Sequence, residues 1–113
     1  MTNKRLFVRQ MNQPAKLLPK TIEQAVDRLI SEMSLKEKSR IERMDERDLM
    51  DLYFTLSVDI EDKFRIFENE ALLESCRTLS EDMDFFAEEA SLIIIVELWK
   101  RLQTLYKERD VDL

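Results

Sequence analysis

Leu92-Ile-Ile-Ile-Val-Glu-Leu-Trp-Lys-Arg-Leu102 is the stretch on which the fold turns. Its purely aliphatic run, Leu92 to Val96, is five residues long and is flanked by Glu88, Glu89 and Glu97. A membrane-spanning helix needs about 20 apolar residues, so the run reads as part of a buried helix in a globular protein. At about 100° per residue, Leu92, Ile94, Ile95, Leu98, Trp99, Leu102, Leu105 and Tyr106 cover nearly half of a helical wheel. Glu97 and Arg101 fall on the other side, at a spacing that favours an i, i+4 ion pair. A helix over about Ala87 to Lys107 follows, and it is the most apolar element of the chain.

The surroundings of that stretch support a helical reading of the whole. The 113 residues include no glycine and no histidine, and the two prolines, Pro14 and Pro19, both precede Lys20. Tight hairpins, left-handed turns and phosphate-cradling loops depend on glycine, while many metal sites and nucleophilic centres depend on histidine. The composition therefore favours helix and argues against most recognisable catalytic chemistry. With 37% charged and 44% apolar residues, the chain is neither a disordered acidic segment nor a membrane protein. Its length suits one domain.

Charge is unevenly distributed. Lys4, Arg5, Arg9, Lys16 and Lys20 precede the first acid, Glu23, so a +5 segment stands before a remainder with 13 basic and 24 acidic side chains. An acidic body repels backbone phosphates, which makes general nucleic-acid binding unfavourable. Residues 1–20 are therefore read as a flexible basic arm and linker, 21–109 as the helical domain, and 110–113 as a polar tail. The arm holds only a three-residue apolar patch, Leu6 to Val8, and no small-residue cleavage site, so no secretory signal is expected. Together with a single cysteine, Cys76, this predicts a cytoplasmic location in a reducing compartment.

Along the domain, caps take the place of glycine turns. Thr21 with Gln24 forms a capping-box pattern, and Ile22, Ala25, Val26, Leu29, Ile30 and Met33 then follow a helical rhythm. Ser34 with Glu37 repeats the pattern and opens a short helix offering Leu35, Ile41 and Met44. Asp45 with Asp48 opens a third helix expected to reach Phe67, with Leu49, Leu52, Tyr53, Leu56, Ile60, Phe64 and Phe67 as its core stripe. A second stripe, Met50, Phe54 and Val58, points to the side or nearly away. This helix is thus either covered on two faces or exposes an association surface. Asn69 caps a short fourth helix, Glu70 to about Leu79, packing through Leu72, Leu73, Cys76 and Leu79. An acidic loop leads to Phe85 and Phe86 and the last helix. The third and last helices look like the two central staves.

Several segments together resemble a family of uncharacterised bacterial helical domains. They are Thr21-Ile-Glu-Gln-Ala-Val-Asp-Arg-Leu-Ile, Asp48-Leu through Tyr53-Phe-Thr-Leu56, Leu72-Leu-Glu-Ser-Cys76, and Glu89-Ala-Ser91 through Leu98-Trp99. The resemblance covers most of Lys20 to Leu102 and implies a shared all-helical fold, with no activity attached. Members of that family tend to carry glycine at the place of Ser57, a basic-polar pair near Glu61 and Asp62, and proline at the place of Ala87.

Candidate chemistry is sparse. Glu42, Asp45, Asp48 and Asp51, or Asp59 with Asp62, have the spacing by which all-helical nucleotide pyrophosphatases hold magnesium. With 24 acids in the chain, a solvated face with helix caps explains the same spacing. Glu81-Asp82-Met83-Asp84 matches half of a calcium loop but lacks its glycine and distal glutamate. Cys76 shares a face with leucines and has no histidine to deprotonate it, which favours a structural thiol. Trp99 and Tyr106 sit within a leucine stripe and read as core more readily than as base-stacking platforms.

The expectation is an all-α protein: a compact five-helix bundle of three long and two short helices behind a flexible N-terminal arm. No catalytic, metal or cofactor residues are assigned. The leading function is a protein interaction or oligomerisation module using Met50, Phe54, Val58, Phe85 and Phe86. The alternatives are a magnesium-dependent carboxylate enzyme and nucleic-acid binding through Lys4, Arg5, Arg9, Lys16 and Lys20.

Overall fold

The computed structural model describes residues 18–80 and 85–111, with side chains described as far as Tyr106. The arm residues Lys4, Arg5, Arg9 and Lys16, the acidic segment Glu81 to Asp84, and the last two residues lie outside the described residues. Among the described residues the chain forms five α-helices and no strand: α1 Ile22–Glu32, α2 Leu35–Glu42, α3 Leu49–Phe64, α4 Glu70–Leu79 and α5 Ala90–Val111. Three short 3-10 turns, Glu46–Asp48, Ile66–Glu68 and Ala87–Glu89, precede α3, α4 and α5. The all-α, five-helix reading thus holds; α3 and α5 are the long helices, at 16 and 22 residues, while α1, expected to be long, has 11 against 8 in α2 and 10 in α4.

The caps act as the side-chain chemistry requires. Thr21 sits in an extended conformation, and its Oγ1 accepts the Gln24 amide at 3.1 Å. Gln24 Oε1 accepts the amide of Lys20 at 2.9 Å, one residue before the cap. At Ser34 the box is reciprocal, with Glu37 N donating to Ser34 Oγ and Ser34 N donating to Glu37 Oε1. Each such cap contributes about 1 kcal/mol and lets α1 pass into α2 through Met33 and Ser34 alone. Asn69 works hardest: its Oδ1 accepts the Leu72 amide, while its Nδ2 donates to the carbonyls of Pro19 (2.9 Å) and Phe64 (3.2 Å). One side chain therefore starts α4, holds the end of α3 and fixes the strand of chain that enters α1.

The helices surround α5, which packs against α1, α2, α3 and α4. Two central staves were expected; α3 and α5 do pack most extensively against each other, and α5 also packs broadly against α1, α2 and α4. Its width of apolar surface is the reason: Ala90, Ile94, Ile95, Leu98 and Leu102 are buried, with Ile93, Val96 and Trp99 packed at the margins. Leu105, expected on that face, is 41% exposed. The inner face of α3 supplies Leu49, Leu52, Ile60 and Phe64 to the same core, and Ser57 is buried beside them. From α1 come Ile22, Ala25, Val26 and Leu29, from α2 Ile41, and from α4 Leu72 and Cys76.

Four further expectations are corrected. The third helix ends at Phe64, not Phe67, because Arg65 turns left-handed (φ 48°, ψ 50°). That rotation buries Ile66 completely and leaves Phe67 53% exposed, reversing the assignment that an uninterrupted helix gives. The last helix begins at Ala90, its first turn being a 3-10 turn over Ala87–Glu89. Leu35 and Leu79, read as packing residues, are exposed, at 65% and 50%. Finally, Arg101 does not pair with Glu97: it crosses to Asp27 of α1 at 2.6 Å, and Glu97 instead meets Lys100 at 3.5 Å. A second cross-link joins Lys63 of α3 to Glu32 of α1. At partly exposed positions such pairs contribute at most about 1 kcal/mol each, so they set helix register more than stability.

Candidate association surface

The apolar residues of α3 divide between two faces. Leu52, Ile60 and Phe64 are buried, whereas Met50, Phe54 and Val58, spaced four residues apart, are 51%, 72% and 63% exposed. An i, i+4, i+8 row lies on one side of a helix, so these three form a continuous ridge about two turns long. Phe54 meets Tyr53 edge-on with centroids 5.5 Å apart, while Tyr53 itself packs against the core. The ridge is bordered by carboxylates. Asp51 and Asp62 are exposed at its two ends, and Glu61 follows Val58 by three residues.

At the C-terminal end of α3, the structure brings the Phe85–Phe86 segment nearby. The turn Ile66–Glu68 lies against the turn Ala87–Glu89, and Ser91 Oγ donates to Glu61 Oε2 at 3.3 Å. The two phenylalanines part company there. Phe85 packs against the core, and Phe86 is 61% exposed. Phe67, which sequence reasoning placed in the core, joins the exposed apolar residues at this end. The signal that could have found it was the absence of glycine, which forces any left-handed turn onto an ordinary residue.

The candidate chemistry is absorbed by structure. Asp48 Oδ2 accepts the amide of Asp45 at 2.9 Å, and Asp45 meets the Arg47 guanidinium, so these two carboxylates cap the turn that opens α3. Among the described residues, no three Asp, Glu or Cys side chains cluster in a way that could hold a metal ion. Cys76 is fully buried, with the Ala90 carbonyl 4.0 Å from its sulfur. Burial pushes its thiol up to about 12 from 9.0, because desolvation disfavours the thiolate. Such a thiol is a poor nucleophile at neutral pH. Trp99 Nε1 donates to the Met44 carbonyl at 2.9 Å, and the Tyr106 hydroxyl lies 3.2 Å from Ser39 Oγ. Both aromatic residues thus tie α5 to the α2 side of the bundle, the role that the leucine stripe suggests.

A groove of about 520 Å³ opens between α1, α4 and α5. Its cationic side chains are already engaged, Lys100 with Glu97 and Arg101 with Asp27. No helix among the described residues is long and apolar enough to cross a membrane. The molecule is defined by its caps and its one-sided third helix: an all-helical domain built around a single central helix. Residues 18–102 match the family described as Domain of unknown function (DUF6794), and the chain belongs to that family. The matched range begins beside the buried Pro19 and ends at Leu102, the last buried residue described. It therefore takes in the whole core. No curated protein and no solved structure matches the chain.

Proposed function

We propose that this domain is a protein interaction or self-association module, without catalytic activity of its own, that works in a reducing compartment through the outer face of α3. The observation that carries the reading is the exposure of Met50, Phe54 and Val58 as one ridge. Leaving single apolar residues in water is ordinary, but a contiguous row with a phenylalanine at its centre marks contact surfaces. Fully burying a side chain of this kind contributes about 1.5–3 kcal/mol, so covering three of them approaches what micromolar association requires before the cost of ordering. Phe86 and Phe67 widen the surface at the C-terminal end of α3. Aromatic side chains are the usual anchors of such contacts. The buried Cys76 supports the compartment assignment only in that nothing in the fold depends on a disulfide.

Phe54→Asp tests the reading. Its side chain is exposed, so the substitution should leave helix content and unfolding midpoint nearly unchanged while abolishing self-association in sedimentation or the capture of a protein partner. An unaltered sedimentation profile together with an unaltered set of captured partners would remove the ridge as an association surface.

A further inference from the structure

We infer that the ridge has an intramolecular occupant: the chain's own segment Lys4 to Met11 lies along Met50, Phe54 and Val58 and competes there with outside partners. The inference rests on reading the ridge as an association surface and adds its regulation. Three observations support it.

The first is where the N-terminal segment starts. Pro19 is buried, and its carbonyl shares the Asn69 amide with the carbonyl of Phe64, the last residue of α3. The described chain therefore begins beside the C-terminal end of the helix that carries the ridge, and residues 1–17 are joined to it there. From Phe64 back to Met50, α3 rises about 21 Å at 1.5 Å per residue. The ten residues from Leu18 back to Val8 span up to about 35 Å when extended, so the segment is long enough to reach any part of the ridge.

The second is apolar complementarity. Leu6, Phe7, Val8 and Met11 are the apolar cluster of a segment otherwise rich in charge and amide groups, and the ridge presents three apolar side chains in a row.

The third is charge. Asp51, Glu61 and Asp62 border the ridge, and the one cation of α3, Lys63, is engaged with Glu32 across the groove to α1. Among the described residues, no cation pairs with Asp51 or Asp62. Lys4, Arg5 and Arg9 supply the missing sign. A second copy's ridge does not, since pairing two such helices sets carboxylates against carboxylates.

The test uses the full chain, labelled with ¹⁵N and carrying a nitroxide on Gln10→Cys. Cys76 does not compete for the label, because its thiol is buried and pushed up to about 12. Docking within one molecule broadens the amide signals of Met50, Phe54 and Val58 equally before and after a tenfold dilution. Phe7→Ser combined with Val8→Ser restores them. Sharp signals along α3 in the labelled chain would overturn the inference. So would broadening that appears when the nitroxide sits only on unlabelled chains mixed with the ¹⁵N protein, since the occupant would then belong to a second copy. The two readings fail separately. Loss of the intramolecular broadening leaves the effect of Phe54→Asp on association intact, whereas an ineffective Phe54→Asp with broadening present retains the docked segment and discards the outside partner.

Discussion

The inner and outer faces of α3 both carry rows of large apolar side chains, and their fates are opposite. Leu52, Ile60 and Phe64 are sealed against α5, while Met50, Phe54 and Val58 stand in water on the same sixteen-residue helix. The difference is one of position around the helix, not of residue type. It teaches that hydrophobicity alone does not separate core from contact surface. What decides is whether another helix of the chain lies opposite, and α5 can lie on only one side of α3.

The largest expected effect comes from truncating one phenylalanine on each face. Phe64→Ala leaves a cavity in a core with no exposed surface at that site and should destabilise by about 3–5 kcal/mol. Phe54→Ala should change stability by less than about 0.5 kcal/mol. Urea unfolding of both variants checks the contrast, and similar losses would mean that the outer face is packed as tightly as the core.

A second test asks how tightly the inner side is sealed. Cys76 belongs to that core, and its thiol is raised from 9.0 to about 12 by burial. The native state therefore keeps its proton in a range where the unfolded chain has lost it, so this contribution to stability is present below about pH 9 and declines as pH rises towards 12. The slope due to this group is at most about 1.4 kcal/mol per pH unit. Cys76→Ala should flatten the pH dependence of unfolding above pH 9 relative to the parent. In native protein at pH 8, a thiol reagent should modify Cys76 only as fast as the domain opens.

The smallest effect concerns the residue that separates the two faces at their common end. Arg65 is the one described residue with positive φ, and it sends Ile66 inward and Phe67 outward. A side chain in that conformation costs roughly 1 kcal/mol relative to glycine, partly offset by glycine's greater entropy when unfolded. Arg65→Gly should raise stability by about 0.5 kcal/mol with Ile66 still buried, read as a higher urea midpoint at unchanged m-value. A lower midpoint would show that the arginine side chain itself holds the turn.

Most of the helical architecture was legible because its signals are local. Thr21, Ser34 and Asn69 accept orphan amides within three residues of themselves, so each helix start can be read without knowing what lies across the fold. The periodicity of Ile22 to Leu29 and of Ile94 to Leu102 similarly announces a buried face. Errors fell where the deciding neighbour is distant or where the backbone leaves the regular helix. Leu35, Leu79 and Leu105 have the right period but remain exposed. Phe67 and Ile66 exchange places because one dihedral pair at Arg65 advances the chain out of phase.

The candidate surface was half legible. Its ridge was visible as a second stripe, but whether Met50, Phe54 and Val58 were core depended on the placement of α5. Arg101 chose Asp27, 74 positions away in sequence, over a partner one turn before it, and no spacing rule anticipates that choice.

By itself, the sequence determined helix, cap and composition: a chain without glycine or histidine forms helices begun by Thr, Ser and Asn side chains. The tertiary structure alone decided which apolar faces are covered. Helix formation depends on groups within four residues of one another, whereas burial depends on which helices share a core, and here the breadth of α5 gave that place to one face of α3 and left the other in water.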